Sequence, residues 1–147
     1  FEIEERLQNI GIPVFHDDQH GTAIVVLAAM INYCKITGKS MSDLKIVING
    51  AGAAGIAISR FLGKKDPNTP NQQIVKELTL CDSMGIIHKN RADLNAVKLD
   101  LLNYTNPRNL EGSVFEAILD ADVFIGVSKA DLLDRNDIRT MAKDPFI

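Results

Sequence analysis

The sequence has little of what marks disulfide-rich, zinc-binding or nucleic-acid-binding proteins. Its 147 residues include two cysteines, no tryptophan and 5% aromatic residues. Cys34 and Cys81 lie far apart, and no CxxC pair is present. This argues against a disulfide framework and a structural zinc site, and favours a reducing compartment, which we expect to be the cytoplasm. The net charge is −3 without a basic block, so we expect no nucleic-acid partner.

Long hydrophobic runs are also lacking. The longest, Ala23 to Ile31, is well short of the roughly 18–20 residues that cross a bilayer, so the sequence predicts no membrane span. No secretory signal is recognisable. The chain starts at Phe1 and ends on Phe146-Ile147 with no closing turn, so we expect a piece of a longer polypeptide, truncated at both ends. The length suits one domain.

Hydrophobic periodicity predicts strands that alternate with helices. Strands are predicted at 44–49, 77–81 and 122–127, a short strand or hairpin at 85–88, and helices at 2–7, 22–35, 56–62, 92–102, 114–119 and 137–142. The strands are nearly continuous apolar runs, which favours an α/β fold whose parallel sheet is covered on both faces. The helix 22–35 is apolar on every side, so we expect it in the interior, with Thr22 as its N-cap.

The first long strand runs into a glycine turn and then a helix. Gly50, Gly52 and Gly55 have the GxGxxG spacing. The first glycine permits a tight turn, the second admits a pyrophosphate, and the third lets helix and strand pack closely. The alternative is an ordinary βα turn. We therefore predict a Rossmann-like dinucleotide-binding domain at 44–147, preceded by a helix-rich lead-in at 1–37.

An acidic residue ends the second strand, where a dinucleotide fold holds the adenosine ribose. Asp82 occupies this place, and the extra length before it falls in the proline-containing loop 64–73, where insertions cost little. A carboxylate here would repel a 2′-phosphate, which favours NAD, although Ser83 beside it leaves NADP open. The alternative for Asp82 is a solvated turn residue. Ser128 ends the third strand, either in the cofactor cleft or as a plain turn.

Two carboxylates and two imidazoles lie in the segment 16–20, immediately before the apolar helix. Carboxylate oxygens suit Mg²⁺ or Mn²⁺ better than zinc. Asp17 and Asp18 are adjacent and point to opposite sides of an extended segment, so we expect only one of them to be a metal ligand. The alternative is a polar turn whose aspartate caps the helix. For His16 and His20 we expect a supporting role or simple solvation.

These motifs together resemble the NAD(P)-binding domain of malic enzymes of the bacterial type. The resemblance is carried by the segments 12–23 and 45–56, which contain FHDDQHGTA and NGAGAAG, and it continues through 82–85, 105–108 and 121–128. It covers essentially the whole chain. The sequence departs from the family pattern at 129–132, where it has Lys-Ala-Asp-Leu and the family is expected to have a small residue, proline and glycine.

The resemblance implies oxidative decarboxylation of (S)-malate to pyruvate and CO₂, with hydride transfer to NAD or NADP and a bound Mg²⁺ or Mn²⁺. It makes Asp18 a metal ligand and Asp17 the support of a catalytic lysine. In the family this lysine, the tyrosine that acts as the acid and an acidic pair of metal ligands all precede the position of Phe1. The resemblance, together with the glycine turn and the strand ends, predicts a set of cofactor-binding residues. They are Thr22, Gly50, Ala51, Gly52, Ala53, Ala54, Gly55, Asp82, Ser83, Val127 and Ser128.

Three further expectations complete the interpretation. The chain alone should be inactive, and the full-length protein should be a homo-oligomer that acts on malate. Two rival functions stay open at this point. One is a nucleotide-binding module without catalysis. The other is the cofactor domain of an amino-acid dehydrogenase, which has no use for a divalent cation.

Overall fold

The structure, a computed structural model, describes residues 2–63 and 74–147; the predicted loop 64–73 lies outside the described residues. The helices are α1 (Glu2–Leu7), α2 (His20–Thr37), α3 (Ala53–Gly63), α4 (Ala96–Leu101), α5 (Val114–Ala117) and α6 (Arg135–Ile138), and the strands are β1 (Lys45–Asn49), β2 (Glu77–Asp82), β3 (Gly85–Ile86) and β4 (Val123–Gly126). The order of elements confirms the predicted α/β class.

The four strands form one sheet in the order β3-β2-β1-β4. β1 pairs in parallel with both β2 and β4, while the short β3 runs antiparallel to β2 at the edge. At the other edge Phe146 forms a parallel bridge with Val123. The carboxyl ends of β1, β2 and β4 therefore meet at one end of the sheet, where ligands collect in open α/β folds.

Alternate residues of each strand supply two hydrophobic cores, one on each face of the sheet. Ile46, Ile48 and Leu80 face α2 and α3. Val47 and Cys81 pack on the opposite face against the segment that contains α5. The prediction that both faces are covered is confirmed, and the two layers hold the carboxyl ends of the strands in fixed positions.

The prediction that the apolar helix lies in the interior is wrong for much of its surface. Met30 and Tyr33 of α2 are buried, but Ile24 is 57% exposed, Val25 68% and Ile36 85%. By length and composition α2 could also cross a bilayer, a test that core helices of other proteins pass as well. It packs along α3 and the sheet instead, so its outer face is apolar and uncovered by the described residues.

Helix boundaries differ from the prediction where capping was misjudged. Thr22 is not the N-cap of α2: the helix begins at His20, with Gln19 as a cap that makes no side-chain hydrogen bond. The predicted helices at 92–102 and 137–142 are instead Ala96–Leu101 and Arg135–Ile138. Their caps are Asn95 and Asp134, whose side chains accept backbone N–H bonds and so set where each helix starts.

Candidate cofactor-binding site

The glycine turn between β1 and α3 is tight at its two ends. Gly50 has φ +125°, a left-handed conformation that favours glycine, and a Cβ there would lie 2.8 Å from the Val127 carbonyl oxygen. A Cβ on Gly55 would lie 1.8 Å from the Gly50 carbonyl oxygen. The neighbouring atoms are backbone, so neither position can accept a side chain unless the turn opens.

The middle of the same turn is open. Gly52 is exposed, and a Cβ there would meet no atom within 4 Å. The first N–H groups of a helix have no carbonyl partner within the helix and attract anions. The turn therefore offers bare backbone beside the start of α3, which is the shape a pyrophosphate requires, and the residues present fit a dinucleotide.

A groove of about 210 Å³ lies at the carboxyl ends of the strands. Its lining includes Asn49 from β1, Asp82 and Ser83 from the end of β2, and Ser128 and Lys129 after β4. The structure thus brings together three predicted cofactor residues from two strand ends that lie far apart in the sequence. Two larger cavities, of about 340 and about 540 Å³, lie beside α1 and α2 and contain none of the predicted cofactor residues.

Asp82 is an ion-paired residue, so the alternative of a solvated turn residue is wrong. Arg91 donates to both of its oxygens at 2.9 and 3.0 Å, and Lys98 Nζ lies 2.6 Å from Oδ2. The backbone N–H of Met84 donates to Oδ1 at 2.8 Å. Burial disfavours the charged carboxylate, but these hydrogen bonds outweigh it and hold the pKa of Asp82 below its ordinary value.

This network removes the electrostatic reason for expecting NAD. The Asp82 side chain is only 7% exposed, and its charge is compensated by two cations. Arg91 also binds Asp93, and this bond lowers the pKa of Asp93 to about 2. A carboxylate so engaged exerts little net repulsion on a 2′-phosphate. Arg91 and Lys98 were missed by the sequence reasoning because neither belongs to a recognisable motif.

The acidic turn before α2 displays its carboxylates to solvent. Asp17 lies over the first turn of α2, where a Cβ on Gly21 would be 2.0 Å from its Oδ1, and a helix N-terminus favours negative charge there. Asp18 is 83% exposed, with His16 Nε2 at 3.7 Å. Neither aspartate lines the strand-end groove.

Glu4 of α1 ties this turn in place, a role that the sequence did not reveal. Its Oε2 accepts from the Gln19 amide at 2.8 Å, and its Oε1 bonds His20 Nε2. The Gln19 amide nitrogen also lies 2.7 Å from His16 Nδ1. His20 therefore helps to hold the turn through Glu4, while its side chain remains 49% exposed.

The described residues do not form a complete set of metal ligands. In residues 2–63 and 74–147 no group of three His, Cys, Asp or Glu side chains is arranged to hold a cation. Mg²⁺ requires about six oxygen ligands, so a cation at the acidic turn would need ligands from outside the described residues.

Not every predicted cofactor residue lies in the groove. Thr22 lies on α2 and hydrogen-bonds the Asp17 carbonyl oxygen through its backbone N–H at 3.1 Å. Val127 packs against the glycine turn through its backbone and side chain. Ala51, Ala53 and Ala54 belong to the turn and the start of α3. Asn49 and Lys129 line the groove and were not predicted.

Comparison with known proteins agrees with the motifs. The family model for the malic enzyme NAD-binding domain matches residues 19–145. The bifunctional malic/malolactic enzyme of Bacillus subtilis is 49% identical over all of this chain and 34% of its own length. The NADP-dependent malic enzyme of Halomonas elongata is 43% identical over all of this chain and 33% of its own.

A solved malic enzyme structure has the same fold as this chain. The NAD-dependent malic enzyme of Thermotoga maritima superposes with a TM-score of 0.85 and 39% identity, over 99% of this chain and 37% of that one. The chain spans about a third of the length of these two curated relatives. These matches give no support to an amino-acid dehydrogenase. The chain belongs to the malic enzyme family and corresponds to its NAD-binding domain.

Proposed function

We propose that this chain is the cofactor-binding part of an enzyme that oxidatively decarboxylates (S)-malate to pyruvate and CO₂ with NAD or NADP. The observation that carries the proposal is the glycine turn, tight at Gly50 and Gly55 and open at Gly52, next to a groove lined by Asp82, Ser83 and Ser128. Family membership adds malate as the substrate of the complete protein.

The proposed binding residues divide the dinucleotide between two places. The backbone of the turn would hold the pyrophosphate, with main-chain N–H groups of Ala51, Ala53 and Ala54 facing it. The groove at the end of β2 would hold the adenosine. Thr22 and Val127 would also line the cofactor, as the resemblance to the family implies.

The acidic turn would serve the chemistry rather than the nucleotide. We propose Asp18 as one ligand of Mg²⁺ or Mn²⁺, which when bound polarises the substrate's hydroxyl and carbonyl oxygens. Asp17 would accept a hydrogen bond from a catalytic lysine elsewhere in the polypeptide and so hold that lysine in position. Glu4 keeps this turn in place through Gln19 and His20.

We also propose a homo-oligomer in the cytoplasm as the working form of the complete protein. Cys34 and Cys81 are free thiols, and burial raises the pKa of Cys81 to about 12. A protonated, buried thiol of this kind suits a reducing compartment.

The test uses the full-length polypeptide. Malate-dependent reduction of NAD⁺ and NADP⁺ is measured with and without Mn²⁺, alongside equilibrium binding of NADH and NADPH. The proposal predicts metal-dependent pyruvate formation by the full-length protein and none by residues 1–147 alone. Nucleotide binding without malate turnover would instead identify a non-catalytic nucleotide module.

A further inference from the structure

The strand-end groove is lined by charged as well as polar side chains. Two charged residues line it, Asp82 at the end of β2 and Lys129 after β4. Lys129 lies in the exposed segment that follows β4. Asp82 and Lys129 thus reach the same space from two different strand ends.

The two charges do not cancel, because Asp82 is already engaged. Arg91 and Lys98 bond both of its oxygens, and only 7% of the side chain is exposed. Asp93 offsets one of these cations. Asp82 is thus already paired with two cations, and Lys129 adds a further positive charge at the groove.

Lys129 itself is available to a ligand. The residue is exposed, and within the described part of the chain its ammonium group has no hydrogen bond or ion pair. Lysine binds phosphate as a compact point charge with three donors. In a dinucleotide fold the end of β2 receives the adenosine ribose, whose 2′ position carries the phosphate that distinguishes NADP from NAD.

We propose that Lys129 is a specificity-determining residue that binds the 2′-phosphate of NADP, so that this protein prefers NADP to NAD. The inference rests on the proposed function, because it requires a dinucleotide in the groove. It reverses the preference for NAD that the sequence suggested from Asp82 alone. The Ser83 hydroxyl lines the same groove and is a second donor for that phosphate.

The test compares nucleotides that differ only at the 2′ position. In the full-length protein, dissociation constants for NADPH, NADH, 2′,5′-ADP and 5′-AMP are measured for the wild type and for Lys129→Gln. The substitution should weaken NADPH and 2′,5′-ADP by about tenfold, the scale of one charge-assisted hydrogen bond. NADH and 5′-AMP should change less than about twofold.

The matched control is Lys76→Gln. Lys76 is an exposed lysine next to the opposite, amino end of β2, so its removal changes the net charge equally but should leave all four constants unchanged. In the wild type, NADPH affinity should also fall with added salt more steeply than NADH affinity, and Lys129→Gln should remove that difference.

The outcomes distinguish a failure of the role proposed for Lys129 from a failure of the proposed function. Equal losses for the phosphorylated and unphosphorylated ligands, or no loss for either, would overturn the role of Lys129 while leaving the proposed function intact. A wild type that binds NADH more tightly than NADPH would also overturn it. If the wild type bound none of the four ligands, the proposed function itself would fail.

Discussion

The strand-end groove and the acidic turn differ in how much of each site this chain builds. In the groove, the ends of three strands meet beside the glycine turn, and its carboxylate is fixed by Arg91 and Lys98. In the acidic turn, Asp17 and Asp18 are exposed. The nucleotide half of the site is therefore formed by local packing, whereas the metal half needs groups that the described residues do not supply.

The backbone geometry of the glycine turn and the side-chain chemistry of the acidic turn are separable in this domain. The glycine turn is determined by atoms within a few ångströms of one another. The acidic turn is held from outside by Glu4, but its two aspartates point into solvent. Substitutions that disrupt the Asp82 ion pairs or the tight positions of the turn should therefore lower stability, whereas substitution of the exposed Asp18 should lower metal affinity without lowering stability.

The largest expected effect is that of Gly55→Ala. The new Cβ would lie 1.8 Å from the Gly50 carbonyl oxygen, and a backbone atom cannot rotate away. We expect the full-length protein to lose about 3 kcal/mol of unfolding free energy and its affinity for NADH. Urea denaturation and fluorescence titration measure both.

Gly52→Ala is the matched control for Gly55→Ala, since a Cβ at that position has open space around it. Its unfolding free energy should equal that of the wild type. A Gly55→Ala protein as stable as this control would show that the turn is not tightly packed.

Asp82→Asn should have the next largest effect. Removing the charge leaves Lys98 and one side of Arg91 without their buried partner, at a cost of about 3 kcal/mol at pH 7. Asp93→Asn, at the exposed carboxylate that also binds Arg91, is the control and should cost much less.

The stability lost in Asp82→Asn should depend on pH. The folded-state pKa of Asp82 is below its ordinary value, so its stabilisation is fully present above about pH 4 and is lost as pH falls through the folded pKa. Wild type and Asp82→Asn should therefore converge in strong acid. A stability difference that stayed constant down to pH 2 would contradict the role of this ion pair.

Asp18→Asn should leave stability unchanged, because the side chain is 83% exposed. In the full-length protein we expect Mn²⁺ affinity to fall about 100-fold or more, since a lost ligand costs at least as much as a lost supporting group. Calorimetric titration with Mn²⁺ measures this, with Asp43→Asn as an exposed control. An unchanged titration would remove Asp18 from the metal site.

The parts predicted from sequence were those that depend on local spacing. Alternating strands and helices gave the sheet, and the spacing of Gly50, Gly52 and Gly55 gave the turn with its tight and open positions. The short β3, which runs antiparallel at the edge, left the parallel pairing of the other strands intact. Chain spacing was sufficient for the turn because its three glycines are close neighbours in the chain, and for the strands because each is a continuous apolar run.

The parts that were missed depend on residues meeting through the fold. Arg91 and Lys98 reach Asp82 from 9 and 16 positions away, and no sequence pattern marked them as partners. The exposed outer face of α2 was missed because an all-apolar composition does not tell which sides will be covered. Glu4 was missed because its bonds to the acidic turn span 15 and 16 positions.

Replacing Gly52 by valine in the full-length protein tests the central claim most directly. A Cβ at this position would meet no atom within 4 Å, so we expect the protein to fold while both NADH and NADPH lose affinity by at least about 100-fold, the effect of blocking the pyrophosphate. A correctly folded Gly52→Val protein that still bound both nucleotides with wild-type affinity would show that the dinucleotide does not lie on this turn.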